Sequence, residues 1–332
     1  RFYRLLIKSE GRIMHLDMPL ADLYKYTGKS PRPSDFDQYW ERALEELREL
    51  PLNYQLVESD FKSQIADCYH LYFTGVGGAK VHAKFVRPKE HIATGQGVVM
   101  FHGYYGNSGD WLDKIAYAAE GITVLALDCR GQGGLSQDSI AAEGPTIKGH
   151  IIRGLHDSDP DQLYYRHVYL DTVQATWILM NMDHIDETKV GTYGQSQGGA
   201  LAVACASLEP RIKQVYAVYP FLSDFKRVWE MDINNTAYEE ISYYFREMDP
   251  THKTADQVFN RLGYIDIQNL SPRIKGDVIW VTGMRDPICP PSTQFAAYNK
   301  ITANKEIVIY PEHGHEYIPE HGDQALQWFK QL

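Results

Sequence analysis

Short apolar runs recur along most of the chain, and longer segments with helical periodicity lie between them. The runs do not alternate polar with apolar residues, so they predict strands that are buried on both faces of a sheet. They occupy residues 98–101, 122–127, 189–193, 215–219, 278–281 and 307–310. The intervening segments, such as 111–119 and 168–182, place apolar residues three and four positions apart. This order predicts an α/β fold with a doubly wound, mostly parallel sheet.

Three other parts of the chain depart from this rhythm. Ser34 and the acidic residues after it predict the start of a helix whose apolar face includes Phe36 and Trp40. Residues 54–90 alternate more regularly, which indicates antiparallel strands at the start of the sheet. The polar stretch at about 221–273 predicts a helical insertion that forms a cap or an interface. We expect residues 1–17 to be a preamble of uncertain origin and residues 18–332 to form one domain.

Composition narrows the classes of partner. The 332 residues include 33 Lys and Arg against 43 Asp and Glu, a net charge of −10 that argues against nucleic acid as a partner. No apolar stretch approaches the roughly 18 residues of a membrane span, so no membrane partner is expected. The four cysteines form no C-x-x-C pair, which predicts reduced, buried thiols and a cytoplasmic location.

One motif points to chemistry. Gly194-Gln195-Ser196-Gln197-Gly198 follows a predicted strand and precedes a predicted helix. In that setting G-x-S-x-G is typical of the nucleophile elbow of α/β hydrolases, a sharp turn that exposes the serine hydroxyl. The alternative is a serine in a tight turn that only caps the following helix. The context favours Ser196 as a nucleophile.

A serine hydroxyl requires an adjacent base, and in this fold the chain order is serine, acid, histidine. His313 and His315 both follow the strand predicted at 307–310, at the edge of the sheet where ligands bind, and the residues alone leave both open. His252 lies in the predicted insertion, away from that edge.

The same geometry selects an acid. Asp286 lies just beyond the carboxyl end of the strand predicted at 278–281, whereas Asp277 lies at the opposite end. There Asp286 would orient the histidine and stabilise its protonated form. The alternative is an Asp-Pro pair that only starts a turn.

Two backbone N–H groups are candidates for the oxyanion hole. On this fold one donor is the residue after the nucleophile, here Gln197, and the other comes from the loop after an earlier strand. We assign that second donor to Tyr104, since Gly103 lets the backbone approach the substrate oxygen. His102 precedes Ser196 in the chain and is interpreted as structural.

Together these motifs resemble carbohydrate esterase family 7, the acetyl xylan esterases that also act as cephalosporin C deacetylases. The resemblance rests on four pieces in order: Arg130-Gly131-Gln132, Gly194-Gln195-Ser196-Gln197-Gly198, Cys289-Pro290-Pro291-Ser292-Thr293 just after Asp286, and His315-Glu316. It implies an α/β-hydrolase fold and the catalytic residues Ser196, Asp286 and His315, with His315 preferred over His313. It also implies Tyr104 and Gln197 as oxyanion donors and a structural role for Arg130, Gly131 and Gln132.

The function that follows is a serine esterase that deacetylates small acetylated carbohydrates, with no metal or organic cofactor. An acetyl group is small and requires a tight acyl pocket. Tyr104, Pro220 and Ile288 are expected to form its walls, because they lie close in sequence to the residues expected at the site. The resemblance implies a homo-oligomer, a hexamer. The alternatives are another serine hydrolase, such as a peptidase of the prolyl oligopeptidase type, and a non-catalytic binding protein with the hydrolase fold.

Overall fold

The structure, a computed structural model, describes residues 17–232 and 237–332. Except for Asp17, the expected preamble therefore lies outside the described residues. The strands are β1 (Tyr54–Glu58), β2 (Ala66–Thr74), β3 (Lys80–Pro88), β4 (Gly97–Phe101), β5 (Thr123–Leu127), β6 (Val190–Gln195), β7 (Gln214–Val218), β8 (Asp277–Gly283) and β9 (Lys305–Tyr310).

Helices fill most of the connections between these strands. The α-helices are α1 (Leu20–Leu23), α2 (Phe36–Arg48), α3 (Leu112–Ala119), α4 (Tyr164–Met180), α5 (Gln197–Leu208), α6 (Phe225–Glu230), α7 (Glu239–Met248), α8 (Ala255–Leu262), α9 (Ile267–Leu270), α10 (Pro291–Tyr298) and α11 (His321–Phe329). Short 3-10 turns lie at Val76–Gly78, Pro160–Gln162 and Ser271–Arg273.

The strands form one nine-stranded sheet in the order β1-β2-β3-β5-β4-β6-β7-β8-β9. The first three strands and the β3–β5 pair are antiparallel, and every pair from β5–β4 to β8–β9 is parallel. The predicted α/β class and the mostly parallel sheet are therefore confirmed. The carboxyl ends of the parallel strands meet at one edge, where such sheets bind ligands.

Alternate residues of the central strands pack against two different helix layers. Val99 and Phe101 of β4 face a core that includes α4 and α5, and we call this side the α4/α5 face. Val98 and Met100 face a smaller core that includes residues of α3 and α11, the α3/α11 face. Because a strand turns successive side chains to opposite sides, burial on both faces requires the unbroken apolar runs seen in the sequence.

The connection between β7 and β8 consists mainly of the helices α6 to α9. It packs on the N-terminal arm, residues 17–33. Asp224, just before α6, accepts hydrogen bonds from the backbone N–H groups of Lys29 and Ser30 at 2.9 and 2.8 Å. Arg227 of α6 pairs with Asp17 at 2.8 Å.

Two helix starts differ from the prediction. Helix α2 begins at Phe36 without a side-chain cap, because the Pro33 carbonyl accepts the Phe36 N–H at 3.2 Å in place of the expected Ser34 hydroxyl. Helix α4 begins at Tyr164, four residues before its apolar pattern starts. Arg166 and His167 lie in that first turn and are buried. Because two polar residues occupy buried positions there, the apolar pattern does not extend to the start of the helix.

Two further expectations concern the cysteines and membrane-spanning helices. All four cysteines are buried and free, as predicted. Within residues 17–232 and 237–332, every helix is too short or too polar to cross a membrane.

Candidate active site

Ser196 occupies a strained turn between β6 and α5. Its backbone has φ 57° and ψ −119°, in a region that side-chain-bearing residues rarely adopt. A Cβ on Gly194 would lie 2.2 Å from the carbonyl carbon of Gly198, and a Cβ on Gly198 would lie 2.1 Å from the Phe101 oxygen. Only glycine therefore permits the tight passage from strand to helix, and the turn presents the serine hydroxyl at the carboxyl edge of the sheet.

A chain of hydrogen bonds joins three distant parts of the sequence at this point. The Ser196 hydroxyl donates to His315 Nε2 at 2.9 Å. His315 Nδ1 lies 2.8 Å from Asp286 Oδ2 and donates to it in the tautomer that leaves Nε2 as an acceptor. The structure thus brings together the three residues selected from the sequence, in the arrangement of a nucleophile, a base and an orienting acid.

Asp286 is fully buried and its carboxylate is held from both sides. Its Oδ1 accepts the backbone N–H groups of Ile288 and Cys289, each at 2.8 Å. These bonds orient Oδ2 toward His315. The other candidate, His313, lies in the same loop, but its ring packs edge-on against Tyr310 with a 5.5 Å centroid distance.

The loop after β4 carries the second expected oxyanion donor. Among the described residues, the backbone N–H groups of Tyr104 and Gln197 have no hydrogen-bond acceptor. His102 Nδ1 bonds the Gly103 carbonyl at 2.7 Å, and its Nε2 accepts the Cys129 N–H at 2.9 Å. Burial lowers the pKa of His102, consistent with a neutral ring that fastens this loop to the loop after β5.

The Arg130-Gly131-Gln132 motif lies in the loop after β5 and ties its neighbours together. The Gln132 side chain accepts the Tyr105 N–H at 2.9 Å and pairs with the Gln197 amide at 2.8 Å. Arg130 is fully buried, and its guanidinium donates two hydrogen bonds, of 2.7 and 2.6 Å, to the Asp171 carboxylate of α4. The motif therefore braces both segments that carry the expected oxyanion donors, although neither the Arg130 nor the Gln132 side chain forms a hydrogen bond with Ser196.

Helix α7 of the insertion places a buried carboxyl group beside the oxyanion loop. The Tyr104 hydroxyl donates to Glu240 Oε1 at 2.6 Å, and the Ile152 N–H donates to Oε2 at 3.0 Å. A Cβ on Gly149 would lie 2.5 Å from this carboxyl group, so glycine is needed to cradle it. Burial raises the pKa of Glu240 to about 7, despite the hydrogen bonds that favour its ionised form.

A cavity of about 310 Å³ opens beside Ser196. Its walls are Phe101, His102, Gly103, Tyr193, Gln195, Ser196, Tyr219 and His315. The expected acyl-pocket residues Tyr104, Pro220 and Ile288 do not line this cavity. Tyr104 and Ile288 pack instead against the core of the α4/α5 face, and Pro220 is buried directly after Tyr219.

One set of side chains at this site could in principle bind a metal ion. Asp286, Cys289 and His315 bring candidate ligand atoms within 4.8 Å of one another. However, both nitrogens of His315 and both carboxylate oxygens of Asp286 are already in hydrogen bonds. The geometry is that of a proton-transfer chain, and a metal would have to break it.

Sequence reasoning missed several residues that shape this site. No pattern identified Glu240, because a single acidic residue in a polar insertion looks like any surface residue. Tyr193 and Gln195 could have been found, since residues two apart on a strand point to the same face. Tyr219 was placed in a strand, without a role for its side chain.

Comparison with known proteins matches nearly the whole chain to one enzyme family. Residues 13–332 match the family model described as Acetyl xylan esterase (AXE1). The chain is 53% identical to acetyl xylan esterase 1 from Thermoanaerobacterium sp. JW/SL YS485, with a TM-score of 0.93 over 95% of this chain and 99% of that one. It is 34% identical to an acetyl xylan esterase from Paenibacillus sp. R4, with a TM-score of 0.90 over the same shares.

More distant relatives extend the comparison. The chain is 28% identical to acetyl esterase Axe7A from Xylanibacter ruminicola over 90% of this chain and 67% of that protein. A Pyrococcus horikoshii acylaminoacyl peptidase shares 13% identity and a TM-score of 0.58 over 81% of this chain and 41% of its own. At that identity the likeness reflects the fold alone.

Proposed function

Because the chain belongs to the acetyl xylan esterase family, carbohydrate esterase family 7, we propose that it removes acetyl groups from acetylated xylo-oligosaccharides through an acyl-enzyme on Ser196. The single observation that carries the proposal is the hydrogen-bond chain from Ser196 through His315 to Asp286, at 2.9 and 2.8 Å. The enzyme is an esterase, and the proposal concerns its substrate and its chemical steps.

In the first step, His315 Nε2 takes the proton of Ser196 while Oγ attacks the acetyl carbonyl carbon. The negative charge on the carbonyl oxygen is stabilised by the backbone N–H groups of Tyr104 and Gln197, which need no reorganisation to receive it. Asp286 stabilises the protonated imidazole. His315 then gives its proton to the sugar oxygen, which leaves as an alcohol, and the acetyl group remains on Ser196.

In the second step, a water molecule enters where the sugar left. His315 removes a proton from this water as it attacks the acetyl carbonyl, and the same two N–H groups receive the charge. Collapse of this intermediate returns the proton from His315 to Ser196 and releases acetic acid, which loses its remaining proton to solvent and becomes acetate. Each step needs only the hydrogen-bond chain and the two N–H groups.

Replacing Ser196 by Ala tests the proposal. We expect kcat for an acetylated xylo-oligosaccharide to fall by about 10⁶, as in other serine triads. Ser207→Ala is a matched control, because Ser207 lies in the same helix, α5, and its hydroxyl only bonds the Val203 carbonyl. Retention of more than about a thousandth of the activity in Ser196→Ala would contradict the assignment.

Two further expectations follow from the family resemblance. Cephalosporin C carries an acetyl ester on a small bicyclic alcohol, and we propose that the same site hydrolyses it. The test is the release of acetate from cephalosporin C, which should be absent in Ser196→Ala.

We also propose a hexameric assembly. Light scattering of the purified protein measures its mass directly, and a monomer would contradict the proposal.

A further inference from the structure

The cavity beside Ser196 has a polar wall that the acyl-transfer steps do not use. The Tyr219 hydroxyl donates to Gln195 Oε1 at 3.0 Å, and Gln195 Nε2 donates to the Tyr193 hydroxyl at 2.8 Å. All three side chains line the cavity together with Ser196 and His315. We call Tyr193, Gln195 and Tyr219 the polar wall.

The polar wall and the residues expected to form the acyl pocket pack against opposite faces of the sheet. Tyr193 and Tyr219 pack with the core of the α3/α11 face, whereas Tyr104 and Ile288 pack with the core of the α4/α5 face. A carbonyl carbon attacked by Ser196 carries two groups, the acetyl methyl and the oxygen of the leaving alcohol. If the methyl group enters the acyl pocket, the alcohol occupies the cavity with the polar wall.

The wall retains unused hydrogen-bonding capacity. Tyr193 accepts from Gln195, and within residues 17–232 and 237–332 its own hydroxyl proton has no acceptor. Gln195 has a second N–H, and the Tyr219 oxygen has free lone pairs. The wall thus presents donors and an acceptor side by side, which suits sugar hydroxyls because each of them both donates and accepts.

Strain in the backbone at Tyr219 also indicates that this wall has a functional role. Tyr219 has φ 32°, in the left-handed region that a bulky residue rarely adopts, and its N–H is fastened to the Val281 carbonyl at 2.7 Å. Its ring lies 4.6 Å from the His315 ring, centroid to centroid. Such strain persists where the surroundings enforce it, and it clusters at functional sites. Here it holds the phenol between His315 and Gln195.

We propose that Tyr193, Gln195 and Tyr219 bind the hydroxyl groups of the sugar that leaves from Ser196, and so make the esterase selective for carbohydrate alcohols. The inference rests on the proposed function, because it takes Ser196 as the nucleophile. The cavity volume of about 310 Å³ is at the small end of roughly 300–1,000 Å³ for ligand pockets, which suits one sugar unit better than a long polymer segment.

The test compares two acetates whose leaving alcohols have rings of similar size. A mono-acetylated methyl β-xyloside presents sugar hydroxyls to the wall, and cyclohexyl acetate presents none. For Gln195→Leu, Tyr219→Phe and Tyr193→Phe, we measure kcat/KM on both esters. We expect the ratio of the xyloside value to the cyclohexyl value to fall by about three- to tenfold for each lost hydrogen-bonding group.

Tyr216→Phe is the matched control, because the buried Tyr216 hydroxyl has no hydrogen-bond partner among the described residues. It should leave both kcat/KM values and their ratio unchanged. Three conservative variants at different positions prevent a single folding defect from deciding the result. An equal fall on both esters, or no fall on either, would overturn the proposal, because both leave the ratio constant.

The two proposals fail in different ways. If Ser196→Ala keeps its activity, the nucleophile is wrong, whatever the wall variants do. If Ser196→Ala is inactive and the ratio stays constant in all wall variants, the nucleophile stands and the sugar hydroxyls are bound elsewhere.

Discussion

Glu240 illustrates how a single buried residue can make the stability of the whole protein depend on pH. The residue is 2% exposed, and burial raises the pKa of its carboxyl group to about 7 from the ordinary 4.5 of a glutamate. Between these two values the folded protein keeps a proton that the unfolded chain releases. The stabilisation linked to this proton is complete below about pH 4.5 and is lost as the pH rises through about 7.

Glu240→Gln should remove this dependence. We expect the wild-type free energy of unfolding to fall relative to the variant between pH 4.5 and pH 7, by up to about 3 kcal/mol. Urea unfolding of both proteins across this range measures the difference. A difference that stays constant with pH would show that Glu240 is already ionised throughout.

Candidate site residues were predictable where chemistry fixes a local signature in the sequence. The G-x-S-x-G pattern identified Ser196, and the chain order of hydrolases narrowed its partners to Asp286 and one of two histidines. The distinction between His313 and His315 required either family likeness or coordinates, since two positions in one loop differ only in the direction of their side chains. Glu240 required coordinates, because its burial depends on elements far away in the chain.

At the scale of elements, the glycines of the elbow decide how closely α5 can approach β4. Gly198→Ala would drive a methyl group into the Phe101 carbonyl. We expect this substitution to lower the free energy of unfolding by on the order of 3 kcal/mol and to reduce esterase activity, because the shift displaces both Ser196 and Gln197.

Gly322→Ala is the matched substitution in a second helix, α11, where an added Cβ meets no atom within 4 Å. It should raise the free energy of unfolding by about 0.5–1 kcal/mol and leave activity unchanged. Denaturant unfolding of both variants gives the comparison. Effects of the same sign would contradict the role assigned to the elbow.

Element types were more predictable than element boundaries or neighbours. The six apolar runs became β4 to β9. Strands β4, β5 and β7 are buried at every residue, as unbroken apolar runs predict, whereas the edge strand β9 is only partly buried. The start of α4 was missed because Arg166 and His167 are buried with the helix. The pairing of β3 with β5 was also beyond prediction, because an apolar run carries no information about which strand lies beside it.

At the scale of the molecule, the N-terminal arm and the insertion depend on each other through Asp224. Its fully buried carboxylate accepts the Lys29 and Ser30 N–H groups and, at 2.7 Å, the Tyr26 hydroxyl. Asp224→Ala should lower the free energy of unfolding by about 2–4 kcal/mol, because three donors lose their acceptor.

The control for this prediction is Asp256→Ala in the same insertion. The Asp256 side chain is 99% exposed and lies 3.8 Å from Lys226, so its loss should change stability by less than about 0.5 kcal/mol. Equal effects of the two substitutions in urea unfolding would show that the arm does not depend on Asp224.

The hydrogen-bond chain at the active site also constrains when activity can arise during biosynthesis. Ser196 follows β6, whereas His315 follows β9, the last strand of the sheet. During translation Ser196 therefore emerges from the ribosome well before His315, and under the proposed mechanism a nascent chain that has folded only through β7 would still be inactive. Recovery of esterase activity during refolding should consequently require the loop after β9 to reach Ser196, a contact between residues 119 positions apart in the chain, and not only the formation of the elbow.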